Sequence, residues 1–234
     1  MSFKANAMMI KVTAIVAILS ILMVASMFQN SCSIADASAV AIPDPKLDAR
    51  LAATKSEQVA VFAGGCFWGV EAVFDHTKGV VKAESGYAGG SADDAQYYTV
   101  ASGRTGHAES VRVVYDPSQI TYGKLLKVFF AVAHDPTELN RQGPDVGPQY
   151  RSAIFYANDE QKRIAESYIQ QLDQAKVFSN KIATQVAQLD AFYEAEGYHQ
   201  NYLVNHPDEP YIVYNDMPKL VNLKKHLPEL FKDK

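Results

Sequence analysis

The run from Val12 to Phe28, apolar except for Thr13, Ser20 and Ser26, divides this chain before any other feature does. About 17 such residues in a row do not belong on the surface of a water-soluble domain, yet they fall a little short of the ~20 that span a membrane comfortably. Lys4 and Lys11 precede the run, and Ala35-Asp36-Ala37-Ser38-Ala39-Val40-Ala41 follows it. A basic start, an apolar middle and A-x-A sites in that order make residues 1–41 an export segment, either a cleaved signal peptide or an uncleaved N-terminal anchor. In both cases the remainder is expected outside, in the periplasm or at the outer face of the cytoplasmic membrane. Membrane contact then comes only through that segment, if it stays uncleaved. Gln29-Asn30-Ser31 before Cys32 argues against a lipoprotein site there. Residues 42–57, with Pro43, Pro45 and mixed charges, read as a linker. That leaves 58–234 for one domain large enough to bury a core of its own.

Within 58–234 the periodicity changes often. Val59–Ala63 reads as a buried strand ending at Gly64-Gly65, and about Cys66 to Asp75 reads as a helix with Val70, Val73 and Phe74 on one side. Val80–Tyr87 and His107–Tyr115 read as strands, Thr121–Ala133 as a helix, Tyr150–Tyr156 as a strand. Asn158 with Gln161 predicts a capping pair for a helix to about Lys176, its apolar stripe formed by Ile164, Tyr168, Ile169 and Leu172. Ile182–Val186 is the last clear strand. Residues 91–106 and His134–Gln149 read as two long loops, which inside a compact domain often carry function. Strands and helices mix without strict alternation, so the expected fold is a two-layer α+β domain with a mixed sheet.

The net charge of −4 supplies no basic face for nucleic acid. Lys219, Lys224, Lys225, Lys232 and Lys234, interleaved with leucines, read as the wet face of a short helix. Six histidines without paired ligand spacing give no metal site. Of the two cysteines, Cys32 and Cys66, only Cys66 lies in the domain, so no disulfide can form within it. Cys66 follows two glycines and opens a helix, where free N–H groups and the helix dipole favour an anion. A thiol with a reference pKa of ~8.5 needs about 2 kcal/mol of such help to be half ionised at pH 7. Phe67 and Trp68 beside it are either core filling or an apolar wall for an uncharged substrate group. Glu109 shares a strand face with Val111, Val113 and Tyr115, where lost hydration raises a carboxyl pKa and makes it a proton donor. His107 falls on the same face, with a structural or a catalytic role. Tyr97 and Tyr150 stand in or beside the long loops as neutral donors. Asp145, between Pro144 and Gly147, is by default a turn-former.

Gly65-Cys66-Phe67-Trp68-Gly69 closely resembles the nucleophile motif of the peptide methionine sulfoxide reductase A family. The likeness continues in order through Gly86-Tyr87-Ala88-Gly89-Gly90, Ser102 to Glu109, Tyr115-Asp116-Pro117, His134-Asp135-Pro136, Arg141-Gln142-Gly143, Asp145, Gln149 to Ser152 and Tyr198 to Tyr202. The resemblance implies a ferredoxin-like core and reduction of methionine S-sulfoxide, free or in proteins. By matching positions, Cys66 attacks the sulfoxide sulfur and Glu109 protonates its oxygen. Tyr97 and Tyr150 hydrogen-bond that oxygen, Phe67 and Trp68 hold the methyl group, and Asp145 helps organise the site. Many family members carry a second cysteine near the C-terminus, and this chain has none after Asn201. The cycle is therefore expected to need no bound cofactor but an external thiol: a thioredoxin-like or glutaredoxin-like reductase, or dithiothreitol in vitro. The partners expected are oxidised methionine and that reductase, acting on a monomer. A cysteine hydrolase with His107 or His134 as base would use the same nucleophile, and a binding module would use the Phe-Trp pocket without the thiol. Ester turnover without reductant marks the first, and tolerance of Cys66→Ser marks the second.

Overall fold

In the computed structural model, which describes residues 42–234, the chain opens its first strand β1 at Gln58–Gly64. Its two faces are both buried: Ala60 and Phe62 enter the main core, while Val61 and Ala63 join a second cluster with Ala153 and Phe155. A strand covered on both sides has no polar alternation, which is why it reads as a plain apolar run. The chain continues through α1 (Phe67–Asp75), β2 (Val80–Ala88), α2 (Tyr97–Ala101), β3 (Ala108–Tyr115) and α3 (Tyr122–Val128). There follow a small hairpin, β4 (Arg141–Gln142) and β5 (Asp145–Val146), then β6 (Ser152–Tyr156), α4 (Asp159–Gln174), β7 (Gln185–Gln188), β8 (Phe192–Glu194), α5 (Tyr202–Asn205) and α6 (Met217–His226).

The main sheet has the order β7-β6-β1-β3-β2-β8. Only β6 and β7 pair in parallel, so the sheet is mixed. Its middle four strands, β6-β1-β3-β2, are connected as β1-α1-β2-β3-α3-β6, the split βαβ arrangement of a ferredoxin-like core. The edges are extended by β7 and β8. Between sheet and helices lies an aromatic stack in which Phe62 sits 5.1 Å from Phe74, 5.1 Å from Phe129 and 6.1 Å from Tyr122, ring centre to ring centre. Each such buried phenylalanine stabilises the fold by about 1.5–3 kcal/mol relative to an exposed one. To the same core α4 contributes Ile164, Ala165, Tyr168 and Leu172. Asn158 caps α4 by accepting from Gln161 N–H, and the Gln161 side chain accepts from Ala157 N–H, one residue earlier than a capping box requires.

Several boundaries differ from the sequence reading, each for a local reason. The helix expected to run to Ala133 widens into a π turn at Phe129–Ala133, with the His134 ring on the Phe129 carbonyl. The first long loop holds α2, and the second folds into the β4–β5 hairpin and a tight turn at Pro148–Tyr150. Elements of two to five residues are too short for any periodic signal. The strand expected at Ile182 starts at Gln185, where pairing with Ala153 of β6 begins. The expected linker, residues 42–57, has neither helix nor strand but is fastened along α3 and α4. Tyr168 donates to the Pro43 carbonyl, Gln171 brackets Asp44 and Lys46, Asp44 pairs with Lys124 and Lys127, and Asp48 accepts from Gly123 N–H. The proposed export segment and Cys32 lie outside the described residues.

Candidate active site

The turn between β1 and α1 is made by Gly65 in the left-handed region (φ 89°), where a side chain would also drive a Cβ to 2.5 Å from Gln142. It delivers Cys66 to the N-cap of α1 and Phe67 and Trp68 to its first turn. Here they face an open cavity of about 280 Å³ lined by Cys66, Phe67, Trp68, Tyr97, Glu109, Asp145, Tyr150, Glu209 and Tyr211. All seven residues singled out in the sequence meet in this one place, brought by α1, α2, β3, β5 and the turn before β6.

Cys66 is 7% exposed. Its surroundings correct the electrostatic expectation. Burial, and then the carboxylates of Asp216 and Glu109, push the thiol well above its ordinary range. The Lys219 ammonium and the Trp68 amide pull the other way, though Cys66 closes no capping hydrogen bond of ordinary geometry. The free amide at the start of α1 serves a different residue: Phe67 N–H donates to Glu109 Oε2 at 3.1 Å. Glu109 shares the core face of β3 with Val111, Val113 and Tyr115 and is 2% exposed. Burial, with smaller pushes from Asp145 and Asp216, raises its carboxyl to about 8 despite the Phe67 amide. A carboxyl with that value keeps its proton at neutral pH.

The walls are held rigidly. Trp68 stacks on Tyr202 at 3.8 Å and 8°, meets Tyr211 edge-on, and its indole N–H donates to His199 Nδ1 at 3.2 Å. That bond leaves the His199 proton on Nε2. Phe67 is 1% exposed and touches Tyr87 and His199, so it is both core and wall. Burial pushes the Tyr97 phenol up to about 12 and the Tyr150 phenol higher still, so both stay protonated donors. Asp145 accepts a hydrogen bond from the Tyr211 hydroxyl, tying the hairpin to the segment before α6.

The two candidate bases of a hydrolase are committed elsewhere. His107 is fully buried, with Nε2 on the Ser91 carbonyl at 2.8 Å. His134 has Nδ1 on Phe129 O and Nε2 on Ser152 Oγ, and burial lowers it to about 3. Neither lines the cavity.

Sequence reasoning gave no site role to six contributors. Tyr211 and Glu209 gave no local pattern. Gln200 and Glu71 fasten the Tyr198–Tyr202 stretch: Gln200 bonds both backbone groups of Ser85, and Glu71, raised by burial to about 7, accepts from Ser85 Oγ and Asn201 N–H. Lys219, read as solvated, is largely withdrawn from water, its side chain 11% exposed; its ammonium lies 3.0 Å from Asp216 Oδ1, and both side chains press on Gly69. A Cβ at Gly69 would stand 2.1 Å from Asp216 Oδ1 and 2.9 Å from Lys219 Nζ. The i,i+3 spacing turns both residues to the face of α6 that packs on α1, while Lys224 and Lys225 point outward. Asp216-x-x-Lys219 was the available signal.

A family model described as peptide methionine sulfoxide reductase matches residues 58–230. The "Peptide methionine sulfoxide reductase MsrA 2" of Mesorhizobium japonicum is 59% identical over 182 residues, 78% of this chain and 93% of that protein. The protein of the same name from Synechocystis is 49% identical over 193 residues, 82% of this chain and 90% of its own length. Among solved structures, methionine sulfoxide reductase A of Corynebacterium diphtheriae aligns with a TM-score of 0.57 at 36% identity, covering 74% of this chain and 90% of that one. Reduced Mxr1 from Saccharomyces cerevisiae aligns with a TM-score of 0.62 at 34% identity, covering 70% and 92%.

Proposed function

The chain belongs to the peptide methionine sulfoxide reductase family, and we propose that its reaction runs in the cavity at the start of α1, with Cys66 as nucleophile and Glu109 as acid. The overall reaction is thiol-dependent reduction of methionine sulfoxide, an oxidoreductase activity that repairs oxidised methionine. The observation that carries the residue roles is the placement of a thiol, a buried protonated carboxyl and two neutral phenols around one cavity with an aromatic wall. A sulfoxide has a polar oxygen and an apolar methyl group on one sulfur. The phenols of Tyr97 and Tyr150 and the Glu109 carboxyl suit the oxygen, and Trp68 with Phe67 suits the methyl. Asp145 steadies Tyr211 at the rim. The S epimer is the one that the family resemblance of the motifs around Cys66 implies.

In the chemical step the Cys66 sulfur attacks the sulfoxide sulfur while Glu109 protonates the oxygen. The attack bonds the two sulfurs; the protonated oxygen then leaves the substrate sulfur and passes to the Cys66 sulfur as the sulfur–sulfur bond breaks, so methionine is released, Cys66 is left as a sulfenic acid, and the proton lost by the Cys66 thiol restores Glu109. Methionine sulfoxide is thereby reduced by two electrons and Cys66 oxidised by two. With no other cysteine in 58–234, an external thiol attacks Cys66, releasing water and forming a mixed disulfide. A second thiol restores Cys66 and leaves as the disulfide. A thioredoxin-like or glutaredoxin-like protein is the reductant class this requires. Lys4, Lys11 and the apolar run after them support export to the periplasm or outer membrane face. The test is loss of methionine sulfoxide with dithiothreitol on separated epimers. Consumption of the S epimer is expected; consumption of neither, or of the R epimer alone, overturns the reading.

A further inference from the structure

A buried ion pair is an expensive way to fill a protein interior, because desolvation of two charges offsets most of their attraction and apolar residues of equal volume pack as well or better. The Asp216–Lys219 pair carries that cost twice over. Asp216 is fully buried, yet its Oδ2 has no hydrogen-bond partner. The helix that meets the pair gives up a side chain altogether, since only glycine at position 69 leaves room for Oδ1 and Nζ. Gly69 is three residues along α1 from Cys66. Neither member of the pair lines the cavity, so neither touches substrate. Residues three apart at a helix start are neighbours on one face, so two charges seated against Gly69 stand close behind Cys66: the Lys219 ammonium favours the sulfur's anion and the Asp216 carboxylate opposes it.

We propose that the Lys219–Asp216 pair, seated against Gly69 behind the cavity, is a positioning element that sets how readily Cys66 ionises for attack. The inference rests on Cys66 being the nucleophile. The other groups around it leave the role to this pair. Glu109 on β3 holds its proton at neutral pH, Asp145 on β5 is engaged by Tyr211, Glu209 in the cavity lining accepts from the Tyr202 hydroxyl, and Tyr97, Tyr150 and Tyr211 are neutral phenols. His134, which faces Lys219 from the end of the π turn, is uncharged with both nitrogens engaged. Lys219 thus supplies the positive charge that a Cys66 thiolate meets in an otherwise acidic and buried site, and Asp216 keeps that charge in place and partly cancels it. The resting thiol stays protonated at neutral pH, with the Lys219 charge already in place for its anion.

The test is the pH dependence of Cys66 alkylation by iodoacetamide in the full chain, followed on the Cys66 peptide by mass spectrometry so that Cys32 does not contribute. Lys219→Met should move the midpoint upward by about one to two pH units and slow alkylation at pH 7 by tenfold or more. Asp216→Asn should move it downward by a similar amount and speed alkylation. The opposite signs are the discriminating result. A fold merely loosened by either substitution would wet the thiol and lower the midpoint in both. Shifts of the same sign, or an unmoved midpoint in either variant, overturn the proposal. Alkylation involves no sulfoxide, so this result is independent of the methionine sulfoxide assay that tests the function itself.

Discussion

Glu109→Gln should make this protein more stable and nearly inactive at once. The native carboxyl keeps its proton up to about pH 8, whereas an ordinary glutamate releases it near 4.5. Between those values the native state binds more protons than the unfolded chain, so stability falls as pH rises through the window. At 1.36 kcal/mol for each unit of pKa difference, the cost of Glu109 is about 1 kcal/mol at pH 5, about 3 at pH 7 and about 4 at pH 8. Glutamine has the same shape, can still accept from the Phe67 amide, and has no charge to desolvate. The variant should therefore melt higher than its parent by roughly 6–12 °C at pH 7 for a domain of this size, and by much less at pH 5. Glutamine cannot give up a proton, so the single-turnover rate of methionine release should drop by about 10²–10⁴. Thermal melts at pH 5, 7 and 8 and rapid-quench single turnovers measure the two halves. Equal single-turnover rates in parent and variant, or a melting gap that fails to widen with pH, would refute the reasoning.

Three further outcomes are expected. Cys66→Ser should abolish sulfoxide reduction while leaving the circular dichroism spectrum unchanged; methionine production above background would remove Cys66 from the nucleophile's role. Without reductant and with substrate in excess, each protein should release about one methionine and then label with a dimedone-type probe at Cys66; mass spectrometry showing continued turnover, or a Cys32–Cys66 disulfide in place of the label, counts against an external thiol. Gly65→Ala should destabilise the domain by about 1–3 kcal/mol or more, because alanine must adopt φ 89° and displace Gln142, and a melting temperature within a degree of the parent would contradict that.

How much of this could be read from the residues depended on whether the governing physics was local. The strand–glycine–helix unit at Val59–Asp75 was legible because an apolar run, two glycines and a helical period follow one another within a few residues. Glu109 was legible too, since its alternation with Val111, Val113 and Tyr115 fixes its face. The burial of Lys219 was not legible: the residue sits in a lysine- and leucine-rich stretch, and only the docking of α6 on Gly69 takes it out of water. The same holds for the thiol. The helix N-terminus suggested an acidic Cys66, but the carboxyls that oppose ionisation arrive from β3 and from Asp216, 43 and 150 positions further along the chain. Tyr211 and Glu209 escaped because their meaning lies in Asp145 and Tyr202 across the cavity.

The fastening of residues 42–57 has a consequence for where the enzyme can work. Stretched out, those residues would add about 55 Å of tether. Held against α3 and α4 through Pro43, Asp44, Lys46 and Asp48, they add almost none. If the chain is held ahead of residue 42, the cavity works within a radius shorter by that length, and clients inside the radius meet it at a correspondingly higher effective concentration.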